Sequence, residues 1–159
     1  MFKVGDLAVY PAHGVGKIES IEGKTIGGNR QEFYIMRILE NEMKIMIPLQ
    51  NAEAVGLRQL IASDDIPRVY EILKTKEISV NGGTWNRRYR EYMEKIKTGS
   101  IYELAEVLRD LTVLKNDKEL SFGERKMLDT ARTLLLKELS IVLSVGEAQL
   151  EQDIASMLT

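Results

Sequence analysis

The 159-residue sequence contains no cysteine, which excludes disulfides, thiolate metal sites and cysteine nucleophiles. Its single histidine is His13, so no mechanism resting on a histidine pair or a multi-histidine metal site is available. No apolar run approaches the roughly 20 residues of a membrane span, and the opening Met1-Phe2-Lys3-Val4-Gly5-Asp6 does not have the form of a signal peptide. A cytoplasmic location and no membrane partner are therefore expected. An excess of positive charge is also missing: the net charge is −2 and the sequence pI is about 5.6, unlike many nucleic-acid-binding domains. Internal repeats and low-complexity tracts are absent.

What is present is the balance of a globular protein, 44% hydrophobic and 29% charged. The charge is uneven. Residues 85–97 carry Arg87, Arg88, Arg90, Lys95 and Lys97 against Glu91 and Glu94, a local excess of three positive charges. Residues 138–159 carry four acids and no Lys or Arg. The whole-chain figure hides a basic patch and an acidic end.

Hydrophobic periodicity changes near residue 60. Before it, short apolar runs are separated by glycines and polar turns. They are Leu7-Ala8-Val9-Tyr10, residues 15–21, residues 32–39, Lys44-Ile45-Met46-Ile47-Pro48 and, as a fifth, Ala54-Val55-Gly56-Leu57-Arg58. Gly14, Gly16, Gly23 and Gly27-Gly28-Asn29 read as turns between them. Five short strands within 60 residues predict a small half-open barrel over 1–58. From Ser63 onward the period is helical. Val69, Ile72 and Leu73 mark a first helix with Pro67 in its first turn. Gly82-Gly83-Thr84 then breaks the chain, and Trp85, Tyr89, Tyr92, Met93 and Ile96 mark a second helix. Three capping-box patterns open further helices: Ser100 with Glu103, Ser121 with Glu124, and Ser144 with Glu147. The fold class expected is α+β, with a compact all-helical unit of about five helices over 63–159.

Chemistry has few carriers. His13 sits in the tight turn Tyr10-Pro11-Ala12-His13-Gly14-Val15-Gly16, without the carboxylate and nucleophile that a catalytic histidine needs nearby. Gly14-Val15-Gly16 lacks the further glycines, lysine and following helix of a phosphate loop. No enzyme activity and no cofactor are expected. The segment Thr84-Trp85-Asn86-Arg87-Arg88-Tyr89-Arg90 is more telling. Its tryptophan, the only one in the chain, either caps the helical core in phase with Tyr89 and Ile96, or protrudes among arginines as an apolar wedge at unstacked bases. Arg125-Lys126 could extend a phosphate track or form an ordinary solvated face.

At these residues the sequence resembles the bacterial CarD/CdnL transcription regulators almost end to end. The markers are Val4-Gly5-Asp6, Tyr10-Pro11-Ala12-His13-Gly14-Val15-Gly16, Ile47-Pro48 with Asn51, Val55-Gly56-Leu57-Arg58, Trp85-Asn86-Arg87-Arg88-Tyr89, Leu108-Arg109-Asp110-Leu111, and residues 120–128. The first half also resembles the polymerase-interacting module of transcription–repair coupling factors, which lack this helical half.

The resemblance implies a Tudor-like (SH3-like) barrel that docks on the RNA polymerase β subunit edge to edge, with Lys24, Ile26 and Met46 as the docking positions. Some members have arginine where this chain has Met46, which moves that contact from charge toward packing. It further implies that the helical unit meets promoter DNA, without reading sequence, at the upstream edge of the melted bubble. Trp85 would be the wedge, and Arg87, Arg88, Arg90 and Arg125 the basic residues around it. The expected function is stabilisation of the open promoter complex. The alternative is a protein-interaction adaptor whose helices bind another protein; exposure of Trp85 separates the two.

Overall fold

The computed structural model describes residues 2–75 and 85–158, and at 85–87 and 117 the backbone alone. The chain forms two compact units, Met1–Leu60 and Ile61–Thr159. In the first, β1 (Leu7–Tyr10), β2 (Gly14–Ile26), β3 (Asn29–Ile38) and β4 (Lys44–Pro48) make one antiparallel sheet in the order β1-β2-β3-β4. The sheet curls into a half-barrel of the Tudor-like type. Ala8, Ile18, Tyr34, Met36, Ile38 and Ile47 fill its concave side together with Ala52 and Leu57. The β2–β3 hairpin closes on Gly27 and Gly28, both at positive φ, the requirement of a two-residue primed turn. Gly16 is needed for a different reason. A Cβ there would lie 2.6 Å from Met36 Cε and 2.9 Å from the Arg37 carbonyl oxygen.

The sequence reading needs three corrections in this unit. Ala54–Arg58 is not a fifth strand: residues 52–56 form turns and only Arg58 bridges to Val9. Two backbone hydrogen bonds of 2.8 and 3.1 Å make that bridge. Gly23 is not a turn but lies inside β2, paired with Glu32; nor is Gly16, which lies inside β2 between Ala8 and Ile38. Between Ile18 and Ser20 the pairing of β2 with β3 shifts register at a bulge, the usual device for bending a curled strand.

The second unit holds α1 (Ile66–Lys74), α2 (Trp85–Thr98), α3 (Ile101–Asp117), α4 (Phe122–Leu143) and α5 (Glu147–Leu158). α1 is preceded by one 3-10 turn, Ser63–Asp65, and carries Pro67 where its missing N–H costs nothing. The core joins all five helices through Val69, Tyr92, Leu108, Leu111, Leu135, Leu139 and Ile154. Buried Glu138 accepts a 2.8 Å hydrogen bond from the backbone N–H of Ile61.

One capping box forms in full, at α4: Glu124 N–H donates to Ser121 Oγ at 3.2 Å, and Ser121 N–H donates to Glu124 Oε1 at 3.0 Å. The other two do not. Ser100 makes no side-chain cap; the Thr98 hydroxyl binds Glu103 in its place. Ser144 does not open α5 but ends α4, in the left-handed conformation at φ 56°. The break read at Gly82-Gly83-Thr84 lies outside the described residues.

Candidate docking and nucleic-acid surfaces

Cross-strand register decides which side chains share the outer face of the sheet. Lys24 pairs with Gln31, Ile26 with Asn29, and Ile35 with Met46. Because the side-chain period is two, Lys24, Ile26, Phe33, Ile35 and Met46 fall on one face, opposite the core. Phe33 is buried there. Ile26 is 55% and Met46 45% exposed, apolar surface that a small barrel does not need for its own stability. The Lys24 ammonium reaches across to Met46 Sδ at 3.9 Å, so two of the three predicted docking residues meet. β4, which carries Met46, is an edge strand with no further strand beside it among the described residues. At the other edge, β1 is partly covered by the Val9–Arg58 bridge.

His13 stands exposed, its ring tilted against Tyr10 at 5.3 Å and its backbone N–H donating to the Tyr10 carbonyl. This is the backbone-bonded turn residue. Among the described residues no group of three or more side chains could hold a metal ion, and no helix is long and apolar enough to cross a membrane.

In the helical unit, α2 packs on α3 and touches α4. Tyr92 and Ile96 turn inward, whereas Tyr89, expected on the same apolar face, is 40% exposed. Tyr89 therefore sits at the margin of the core stripe rather than within it. Arg90 is exposed. Arg88 is half-buried, and its Nε has no hydrogen-bond partner among the described residues. Burial pushes the Tyr92 hydroxyl up to about 12. Asp110, Glu124 and Glu91 act in the same direction and Arg88 against them. Tyr92, midway along α2, thus lies within electrostatic reach of Glu124 in the first turn of α4. Asp110 is also raised, first by burial, against the hydrogen bond and charge of Arg109. The side chains of Trp85 and Arg87 lie outside the described residues, and with them the exposure of the indole.

Arg125 is exposed on α4 and lines a cleft of about 510 Å³ with Lys115, Lys118 and Arg132, against Glu119 and Asp129. Lys118 pairs with Glu124, and Arg132 with Asp129 and Glu151, so Lys115 and Arg125 are the cations of this cleft without an ion pair among the described residues. Beside it an apolar groove of about 260 Å³ is lined by Leu108, Leu128, Leu136, Ile154 and Leu158.

Two residues escaped the sequence reading. Phe122, 78% exposed, was absorbed into a capping-box pattern although an apolar residue at the first helical position has no inward partner. Glu138 was counted only as tail charge, and nothing in sequence signals a bond to a residue 77 positions away.

Comparison with known proteins matches both units. Residues 2–61 match the CarD-like/TRCF RID domain and residues 68–155 the CarD C-terminal domain. YdeB from Bacillus subtilis (strain 168), provisionally named a transcription factor, is 38% identical over 154 residues, 95% of this chain and 98% of that protein. A solved structure, CdnLNt from Myxococcus xanthus, is 52% identical and covers 40% of this chain and 89% of its own, with a TM-score of 0.35. With both of its units matched in order, the chain belongs to the CarD/CdnL family of transcription factors.

Proposed function

We propose that the protein binds the RNA polymerase β subunit through the sheet face bearing Lys24, Ile26 and Met46, and stabilises the open promoter complex through its helical unit. Trp85, Arg87, Arg88, Arg90 and Arg125 are the DNA-contacting residues in this reading, at the upstream edge of the bubble and without sequence preference. The observation that carries it is the pairing, on one chain, of a polymerase-interaction domain of the RID type with the CarD C-terminal domain. The exposed apolar edge-strand surface suits strand addition. The cleft holding Lys115 and Arg125 suits phosphates. A net-acidic chain gains little from bulk electrostatics on free DNA, so its DNA contact depends on the high local concentration that polymerase tethering supplies. A wedge shifts melting only by its differential affinity for open and closed DNA. The groove along α3, α4 and α5 favours the adaptor as a second reading.

The test is a pull-down with the polymerase β lobe followed by open-complex lifetime. Met46→Glu and Lys24→Glu weaken the pull-down, because each places a carboxylate in the contact. Trp85→Ala leaves the pull-down and the melting temperature intact and shortens the lifetime by roughly ten- to a hundredfold, the scale of aromatic stacking on exposed bases. Changes at Arg87, Arg88 or Arg90 shorten it with a salt dependence that Trp85→Ala lacks. A lifetime unaltered by the wild-type chain sinks the reading; a steep fall in melting temperature for Trp85→Ala makes the indole structural and puts the adaptor first.

A further inference from the structure

Phe122 is the most exposed large apolar side chain among the described residues. It opens α4, where both hydrogen bonds of the Ser121–Glu124 capping box fix the backbone on either side of it. The ring is therefore presented from a rigid element. It is not a staple for the helix, since the residue before the cap, Leu120, turns into the core without it. Arg125 and Lys126 follow at the i+3 and i+4 positions, which share a helix face with Phe122. Both are exposed, and neither pairs with a carboxylate among the described residues. Arg125 also belongs to the cationic cleft, and α4, which carries it, is in contact with α2.

An exposed aromatic ring one helical turn before two exposed cations fits a ligand that offers flat rings and phosphates together. We infer that Phe122 is a second apolar contact to promoter DNA, resting against exposed bases or sugars at the bubble edge while Arg125 and Lys126 hold the adjoining phosphates. The inference rests on the proposed function and extends its surface from α2 to α4. Acidic protein surface is the competing occupant, and the experiment separates it.

The full chain is used throughout. Phe122→Ala leaves the melting temperature and the β-lobe pull-down unchanged, because the ring is in water, and shortens the open-complex lifetime by about fivefold, the lower end of single-base stacking effects. Phe122→Leu restores part of it, and neither change alters the salt slope. A photo-reactive phenylalanine at position 122 forms an adduct with promoter DNA in the polymerase complex. A wild-type lifetime in Phe122→Ala, a lowered melting temperature, an adduct on a polymerase subunit or no adduct overturns the inference. If the wild-type chain fails to lengthen the lifetime, the proposed function falls, and the adduct alone decides Phe122: on DNA the contact stands, elsewhere it does not.

Discussion

Tyr92 shows what one core residue does within the bundle. Its ring is core, 6% exposed, while its hydroxyl shares a region with Asp110, Glu124 and Arg88. In the unfolded chain the phenol ionises near 10 and in the folded one near 12. Between those values the unfolded state binds fewer protons, so stability falls as pH rises through that window. The loss is on the order of 2 kcal/mol for this buried group. Tyr92→Phe removes that alkaline component and leaves stability at neutral pH nearly unchanged; denaturant titrations at pH 8 and pH 11.5 check it. At this scale the sequence was legible where a residue repeats a pattern and silent where it departs from one. Ile96 and Leu111 announce themselves by spacing. Tyr89 has the same spacing yet is 40% exposed, because periodicity gives a face but not where along the helix the neighbouring layer stops.

Helix ends are where the elements were harder to read. Three Ser-x-x-Glu patterns look alike in sequence and differ in three dimensions. The Ser121 pattern is a capping box, at Ser100 a neighbouring threonine hydroxyl takes the glutamate, and Ser144 ends a helix. The pattern requires the serine to be in extended backbone just before the helix, and at φ 56° Ser144 is not. Ser121→Ala is expected to cost about 1 kcal/mol and to lower the melting temperature by several degrees. Ser100→Ala, with no side-chain bond to lose, costs at most a few tenths of that; thermal unfolding of both variants measures the contrast. Strands follow the same logic. Residues 44–48 alternate and form β4, whereas 54–58 look equally apolar but send only Leu57 inward from a turn. One inward leucine is enough to mimic a strand on paper. That Lys24 and Met46, 22 residues apart, meet on one face is a matter of register, which the resemblance did not supply.

For the whole molecule, the connection between the units is short. Arg58 is bonded at both backbone groups to Val9 in the first unit, and Ile61 is bonded to Glu138 in the second. Gln59 and Leu60 alone lie between these two fixed points, and a trans chain of that length spans no more than about 11 Å. On the proposed function, polymerase capture of the sheet and DNA contact by the helices are joined through this span, so the second contact is governed by link length rather than by concentration in solution. Inserting about 12 Gly/Ser residues between Gln59 and Leu60 is expected to cut the lengthening of open-complex lifetime by about tenfold, following the −3/2 power of link length. The melting temperature and the β-lobe pull-down stay as they were. Competition footprints on promoters with shifted bubbles would also spread. On that reading the two-residue link acts as a ruler: a protein that reads no bases would still know where on the DNA to stand, by measuring from the enzyme it rides on.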